Sequence, residues 1–116
     1  VFVQTDTFRT NLSSMNISVC NNQNFTGEYV ALIINDSIVN PRIKLLPYDL
    51  KFTFKYKFKK GTNLIKIKAL STSTEKNMPI CPLWIYFSTI EDGKNVHNRK
   101  VNLKKDELFG VYIESQ

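Results

Sequence analysis

The chain has 116 residues, of which 42% are hydrophobic, and its formal net charge is +6. A chain of this length folds around one core, so we expect a single domain spanning residues 1–116. No run in the sequence approaches the roughly 20 apolar residues that a membrane-spanning helix needs. Because the chain opens on Val1-Phe2-Val3, without an initiator methionine or a signal peptide, we expect a domain excised from a larger secreted or membrane-anchored protein.

The first half of the chain predicts short strands of irregular pattern. Residues 16–19 are expected to open the sheet, and residues 28–34 form an apolar strand. Residues 37–46 include Pro41. Because proline has no backbone N–H to donate, we expect this strand at a sheet edge or a bulge.

The clearest predicted strand covers residues 50–59, where aromatic residues alternate with lysine and threonine. Such alternation is typical of a strand with one buried and one solvated face. A turn is predicted around Gly61, because glycine tolerates positive φ, and residues 64–70 then alternate again. We therefore predict that these two strands form a β-hairpin.

The second half of the chain predicts three more strands. Residues 82–88 are apolar on both faces, as in a central strand, and a polar strand at residues 96–103 follows a turn at residues 91–94. Residues 108–113 form the last predicted strand. Seven or eight short strands at this spacing predict an all-β fold, a two-sheet antiparallel β-sandwich of jelly-roll type.

Two segments, residues 54–69 and residues 81–87, resemble a recurrent pattern of extracellular domains. The pattern is a strand, a turn of Gly-Thr or Gly-x-Asn type, a second strand and a run of the form Cys-x-Leu-x-Ile. It is similar to jelly-roll modules such as galactose-binding-like domains, bacterial pre-peptidase C-terminal domains and the paired extracellular β-domains of SID-type RNA-channel proteins. The resemblance implies a jelly-roll-like sandwich and transfers no functional residue.

Cysteines and glycosylation sequons bear on the cellular compartment. Cys20 and Cys81 are the only cysteines, and we expect a disulfide between them that joins two strands of the sandwich. Four Asn-x-Ser/Thr sequons favour an extracellular or secretory-pathway location, at Asn11, Asn16, Asn24 and Asn35. The alternative is a pair of buried free thiols with sequons that arose by chance.

Lysines dominate the middle of the chain, because residues 50–74 contain seven of them and no acidic residue. If the predicted hairpin pairs apolar face with apolar face, five of these lysines share its outer face: Lys55, Lys57, Lys59, Lys66 and Lys68. Like charges on neighbouring strands are destabilising, so this arrangement favours a patch for an anionic polymer, a sulfated glycan or RNA. The alternative is a solvated face whose lysines prevent edge pairing.

An aromatic pair is the second candidate site. Trp84 and Tyr86 share one face of their predicted strand, opposite Leu83, Ile85 and Phe87. If one face is core, the other presents an aromatic platform for a sugar ring or a protein partner. The alternative is that both faces are buried.

No catalytic, metal-binding or cofactor-binding motif stands out. His97 is the only histidine, and no Gly-x-Ser-x-Gly nucleophile motif accompanies it. One histidine and two distant cysteines do not form a zinc site, and the glycines include no phosphate-binding loop. We therefore expect a protein that is not an enzyme and that uses neither a metal nor a cofactor.

Together these features predict a non-catalytic extracellular module for binding or adhesion, part of a glycosylated surface or secreted protein. Its expected partner is another protein or an anionic polymer. Three alternatives remain open: a carbohydrate-binding module, a nucleic-acid- or glycosaminoglycan-binding ectodomain that uses the basic hairpin, and an accessory domain of an enzyme.

Overall fold

The computed structural model describes residues 2–21, 27–73 and 79–116. Within these ranges the strands, in chain order, are β1 (Phe2–Thr10), β2 (Ser14–Asn21), β3 (Tyr29–Ile34), β4 (Ser37–Lys44), β5 (Phe52–Lys57), β6 (Gly61–Ala69), β7 (Cys81–Ser88), β8 (Asn95–Leu103) and β9 (Leu108–Ser115). The one helical element among these residues is a 3-10 turn at Tyr48–Leu50, and no described helix is long and apolar enough to cross a membrane. The all-β prediction is confirmed. The count is nine strands rather than seven or eight, because the sequence pattern predicts no strand before residue 16.

The strands form two sheets that enclose one core. Five strands lie in the order β1-β9-β6-β3-β4, and four lie in the order β5-β2-β7-β8. Neighbouring strands run antiparallel, except that β1 and β9 are parallel. Both sheets contribute to the core, whose fully buried members include Met15, Ile17, Leu32, Ile65, Ile67, Leu83, Ile85, Phe87, Phe109 and Ile113.

Two predictions about strand position are confirmed. Pro41 lies in β4, at the edge of the five-stranded sheet, where its missing N–H leaves no partner strand unsatisfied. β7 lies between β2 and β8, and seven of its eight residues are buried. The near-continuous burial explains why this strand is apolar on both faces.

The predicted hairpin of residues 50–59 and 64–70 is wrong, because its two strands belong to different sheets. β5 pairs with β2, whereas β6 pairs with β3 and β9. The alternation predicted correctly which residues face the core: Phe54 packs against it from one sheet, and Ile65 and Ile67 belong to it from the other. Alternation defines the two faces of a strand, but it does not say which strand lies beside it.

A buried asparagine stabilises the crossover between β5 and β6. Asn63 is fully buried, its Oδ1 accepts a hydrogen bond from the Lys59 backbone N–H at 3.1 Å, and its Nδ2 donates to the Lys59 carbonyl at 2.8 Å. Tyr56 Oη also donates to Asn63 Oδ1, at 3.3 Å. These bonds satisfy the backbone N–H and C=O of Lys59, which have no partner strand in this connection, and Gly61 takes the positive φ of 95° that the path requires.

The predicted disulfide is also wrong, because Cys20 and Cys81 are free thiols. They lie on neighbouring strands, but Cys20 is paired with Trp84 in the register, three positions from Cys81. Three positions correspond to roughly 10 Å along a strand, beyond the reach of a disulfide. Cys81 also belongs to the core, whereas Cys20 alternates with the core residues of β2 and faces outward.

An ionic contact joins the two sheets along one side of the sandwich. His97 Nε2 in β8 lies 2.5 Å from Asp6 Oδ2 in β1, and Arg99 Nε lies 3.6 Å from the same oxygen. The imidazole stacks on Phe8 with ring centroids 4.4 Å apart. Burial raises the pKa of Asp6, but the hydrogen bonds from His97 and the Thr7 backbone outweigh it, and the net pKa lies below its ordinary value.

Candidate functional site

The outer face of the four-stranded sheet carries the predicted aromatic pair. In the register, Trp84 lies between Cys20 of β2 and Lys100 of β8. Tyr86 lies one row further along, next to Ser18. These outward positions alternate with the core positions of the same strands, so the pair lies outside the central core.

A third ring, from the 3-10 turn, completes an aromatic cluster. Tyr48 lies against Trp84 with centroids 5.3 Å apart, and it stacks on Tyr86 at 5.6 Å and 19°. Next to these rings is a groove of about 280 Å³ lined by Tyr48, Trp84, Tyr86, Gly93 and Asn95. We call this feature the aromatic groove.

The three rings differ in exposure. Tyr86 is buried, with 6% of its surface exposed, whereas Tyr48 is 47% exposed and Trp84 is half-buried. Tyr48 covers Tyr86 and leaves Trp84 and itself as the accessible rings. A ligand in the groove would contact these two.

Lysine side chains lie over both accessible rings. Lys51 Nζ is 4.3 Å from the centroid of Tyr48, and Lys100 Nζ is 4.6 Å from the centroid of Trp84. Both distances are within the range of a cation–π interaction. Within the described ranges, neither lysine forms an ion pair.

The polar groups of Trp84 and Tyr86 are buried. The Trp84 indole N–H is buried and makes no hydrogen bond to a described residue. The Tyr86 hydroxyl is buried without a well-formed hydrogen bond, although the Tyr48 and Ser18 side chains lie beside it. Burial, together with the neighbouring Tyr48, raises the pKa of Tyr86 above its ordinary value. Burial also raises the pKa of the Cys20 thiol, to about 11, against the positive charges of Lys51 and Lys100.

The five predicted patch lysines do not share one face. Lys55 and Lys57 are exposed on the outer face of the four-stranded sheet, and Lys59 is exposed in the connection that follows β5. Lys66 and Lys68 are half-buried on the outer face of the other sheet. The patch geometry fails for the same reason as the hairpin, since the two strands lie on opposite sides of the sandwich.

The four sequon asparagines lie in different environments. Asn11 is exposed between β1 and β2, and Asn16 is half-buried in β2, paired with Lys55. The Asn35 side-chain nitrogen, the atom to which a glycan would attach, donates to the Tyr56 hydroxyl at 2.9 Å, so it already serves an internal hydrogen bond. Asn24 lies outside the described residues.

Sequence reasoning missed three residues of the site, Tyr48, Lys51 and Lys100. A signal for Lys100 existed, because a hairpin closed by the predicted turn at residues 91–94 brings it close to Trp84 in the register. No comparable signal existed for the other two, since they reach the groove through the connection between β4 and β5, which changes sheets.

Other parts of the described surface offer less for recognition. A second cavity of about 450 Å³ lies where residues 12–14 meet residues 89–92, and its lining has no aromatic or basic side chain. Within the described ranges, no three His, Cys, Asp or Glu residues come together as metal ligands. No family model, curated protein or solved structure matches the chain, so the candidate site rests on its own geometry.

Proposed function

We propose that this domain is a non-catalytic carbohydrate-binding module and that its ligand surface is the aromatic groove. The observation that carries the proposal is the Tyr48–Trp84–Tyr86 ring cluster beside an open groove, outside the central core. Small-ligand sites typically combine apolar or aromatic walls with a few polar groups that fix orientation. A sugar ring has a matching character, with C–H groups on its faces and hydroxyls on its rim.

The size of the groove supports a short oligosaccharide segment. Its volume of about 280 Å³ lies near the lower end of small-ligand sites, which span roughly 300–1,000 Å³.

The proposal includes an extracellular or secretory-pathway location, in a glycosylated surface or secreted protein. The support is the exposed sequon at Asn11, which a glycan could occupy without disturbing the sheets. The free cysteines give this location no support. In such a protein the domain would serve adhesion or would direct a neighbouring domain to a glycan.

The test is a binding measurement on wild type and two tyrosine variants. Trp84 is the only tryptophan, so its fluorescence reports directly on the groove during titration with neutral and acidic oligosaccharides. We expect Tyr48→Ala to weaken binding about tenfold, or about 1.4 kcal/mol. The matched control is Tyr29→Ala, because Arg42 lies 4.1 Å over the Tyr29 ring on the opposite side of the sandwich.

Comparing the Tyr48→Ala variant with the Tyr29→Ala control decides between the outcomes. Equal affinity of the two variants would place the ligand elsewhere, and a chain that binds no oligosaccharide at all would rule out the proposed function. Thermal denaturation of both variants verifies that each is folded during the titration.

A second candidate function is docking of a protein partner, favoured by one apolar side chain. Leu50 is 65% exposed and lies in the same 3-10 turn as Tyr48. Tyrosine is among the residues that contribute most to protein contacts, and Leu50 enlarges the apolar surface beside Tyr48. Leu50→Ser separates the two functions, because it should abolish a protein contact and leave sugar binding unchanged, since Leu50 does not line the groove.

A further inference from the structure

The two lysines that lie over the rings of the aromatic groove stand on either side of Trp84 in a single row across the sheet. Cys20 pairs with Trp84, and Trp84 pairs with Lys100. Thr53 pairs with Ser18 on the other side of β2, so continuing that antiparallel register places Lys51 next to Cys20. The row therefore runs from Lys51 to Lys100, with the buried thiol and the indole between them.

The ammonium groups of Lys51 and Lys100 both affect the electrostatics at Cys20. The positive charges of Lys51 and Lys100 each oppose the rise in pKa that burial causes at Cys20. Coulombic effects of this kind weaken quickly with distance, so both charges lie close to the centre of the row. The distances of the two ammonium groups from their rings, 4.3 Å and 4.6 Å, agree with that placement.

No described strand position on this outer face carries an acidic side chain, and Asp49, in the 3-10 turn beside Tyr48, belongs to none of the ion pairs of the described residues. The outward positions of β5, β2, β7 and β8 follow from the register, and they include Lys55, Lys57 and Lys100 but no aspartate or glutamate. The ion pairs of the described residues involve other groups, on β1, β6, β8 and the turn between β3 and β4. The four-stranded face is therefore positively charged, and charge complementarity favours an anionic ligand.

Each lysine covers one face of an accessible ring, so a sugar that stacks on that face has to displace the lysine. A neutral sugar must displace each ammonium group and gives it no better partner, at a cost of about 0.5–1 kcal/mol for each exposed cation–π contact. An acidic sugar offers a charge-assisted hydrogen bond in exchange, which is worth more than the contact it replaces. The arrangement in the free protein thus discriminates between neutral and acidic sugars.

We infer that the aromatic groove takes an acidic sugar, one that carries a sulfate or a carboxylate. Lys51 and Lys100 leave the ring faces and bind the acidic group, while the sugar ring stacks on Tyr48 and Trp84. The inference rests on the proposed function, since it names the ligand class of the same site. It differs from the five-lysine patch predicted from the sequence, because neither of its lysines belongs to that patch.

A nucleic-acid strand fits the site less well than an acidic sugar. Proteins that bind single strands combine a basic groove along the backbone with several rings on which successive bases stack. The described rings instead form one cluster beside one short groove. RNA is therefore a competitor to include in the test.

The experiment measures four ligands by Trp84 fluorescence and by calorimetry. The ligands are a heparin hexasaccharide, an oligogalacturonate, a neutral cello-oligosaccharide and an oligouridylate of similar length. The heparin and galacturonate arms distinguish sulfate from carboxylate as the preferred acidic group. The proteins are wild type, the double variant Lys51→Met/Lys100→Met, and Lys68→Met as a charge-matched control on the other sheet.

We expect wild type to bind at least one acidic sugar about tenfold or more tightly than the neutral one. The double variant should lose about tenfold in affinity for that acidic sugar and bind the neutral one more tightly than wild type, because no ammonium group then has to be displaced from a ring. Lys68→Met should bind like wild type. If the double variant does not fold, Lys100→Gln alone carries the test, because it removes one charge and keeps a long polar side chain.

The outcomes separate the inference from the proposed function. Equal affinity for neutral and acidic sugars, unaffected by the lysine variants, would overturn the inference and leave the carbohydrate-binding proposal standing. Binding of oligouridylate alone, lost in the double variant, would replace the sugar with a nucleic acid and overturn both. Absence of binding to all four ligands would also overturn both.

Discussion

The outer faces of the two sheets use similar residues in different ways. On the five-stranded sheet, Lys66 Nζ lies 2.8 Å from Asp36 Oδ1, and this hydrogen bond lowers the pKa of Asp36 below its ordinary value. The cation over Tyr29 is Arg42, at 4.1 Å from the ring centroid. This face therefore provides a carboxylate partner for its central lysine.

On the four-stranded sheet, Lys51 and Lys100 lie over rings but have no carboxylate partner in the described ranges. The comparison shows that counting lysines does not locate a binding face. What differs between the faces is the surroundings of each ammonium group, since a lysine without a carboxylate neighbour is the more available to an anion. The predictions below test this contrast, beginning with the largest expected effect.

The crossover that assigns the lysines to opposite faces depends on Asn63. Asn63→Ala should lower the free energy of unfolding by about 2–4 kcal/mol, because it leaves the buried backbone groups of Lys59 without their partners. Chemical denaturation measures the change. Lys60→Ala, an exposed substitution in the same connection, is the control and should have little effect. A loss equal to that of the control would mean that the crossover does not need the asparagine.

The contact between Asp6 and His97, which joins the two sheets, should make the free energy of unfolding depend on pH. The folded-state pKa of Asp6 lies below its ordinary value of 3.8, so its contribution is fully present at neutral pH and is lost as the pH falls through the folded-state value. We expect Asp6→Asn to destabilise the protein by about 1–2 kcal/mol at neutral pH. In urea denaturation at several pH values, the difference from wild type should shrink below pH 3.8. A difference that stays constant with pH would contradict this role.

The ion pair on the five-stranded face should matter little to either stability or binding. Asp36 is 87% exposed, and water and salt screen such pairs strongly. Lys66→Met should therefore shift the denaturation midpoint by no more than the experimental error and should leave oligosaccharide affinity unchanged. Lys100→Met, measured in parallel, should preserve the midpoint and weaken acidic-sugar binding. Loss of binding in Lys66→Met would remove the contrast between the faces.

The two thiols belong to opposite faces of the same sheet, and a reductant should have no effect on stability. Burial raises the pKa values to about 11 for Cys20 and about 12 for Cys81, so both thiols stay protonated and unreactive at neutral pH. Mass spectrometry should find no alkylation of the folded protein and two alkylated cysteines after unfolding without reductant. If the unfolded protein were alkylated only after reduction, the two cysteines would be joined by a disulfide.

Much of the strand content could be predicted from the sequence. Alternation located β5 and β6 and identified the core faces, Pro41 indicated an edge strand, and the apolar run of β7 indicated a central one. These predictions succeed because they depend on the period of side-chain burial, which is a local property. β1 escaped detection because its polar residues do not mark it as a strand.

The candidate site could be predicted only in part. The aromatic pair Trp84 and Tyr86 was visible, because both residues belong to one strand and share a face. Tyr48 and Lys51 could not be assigned to them, because they come from a connection that changes sheets. The lysine patch failed for a related reason, since it assumed that consecutive strands are neighbours.

By itself the sequence determined most of the strands after β1 and the orientation of most of their side chains, through the pattern of apolar and polar residues along each strand. The tertiary structure decided which strands lie beside each other, and with that the fate of the disulfide, of the lysine patch and of the aromatic groove. The physical reason is that the hydrophobic effect is non-directional, so any strand that covers an apolar face gains free energy by burying it. Which strand does so depends on connections such as the Asn63 crossover.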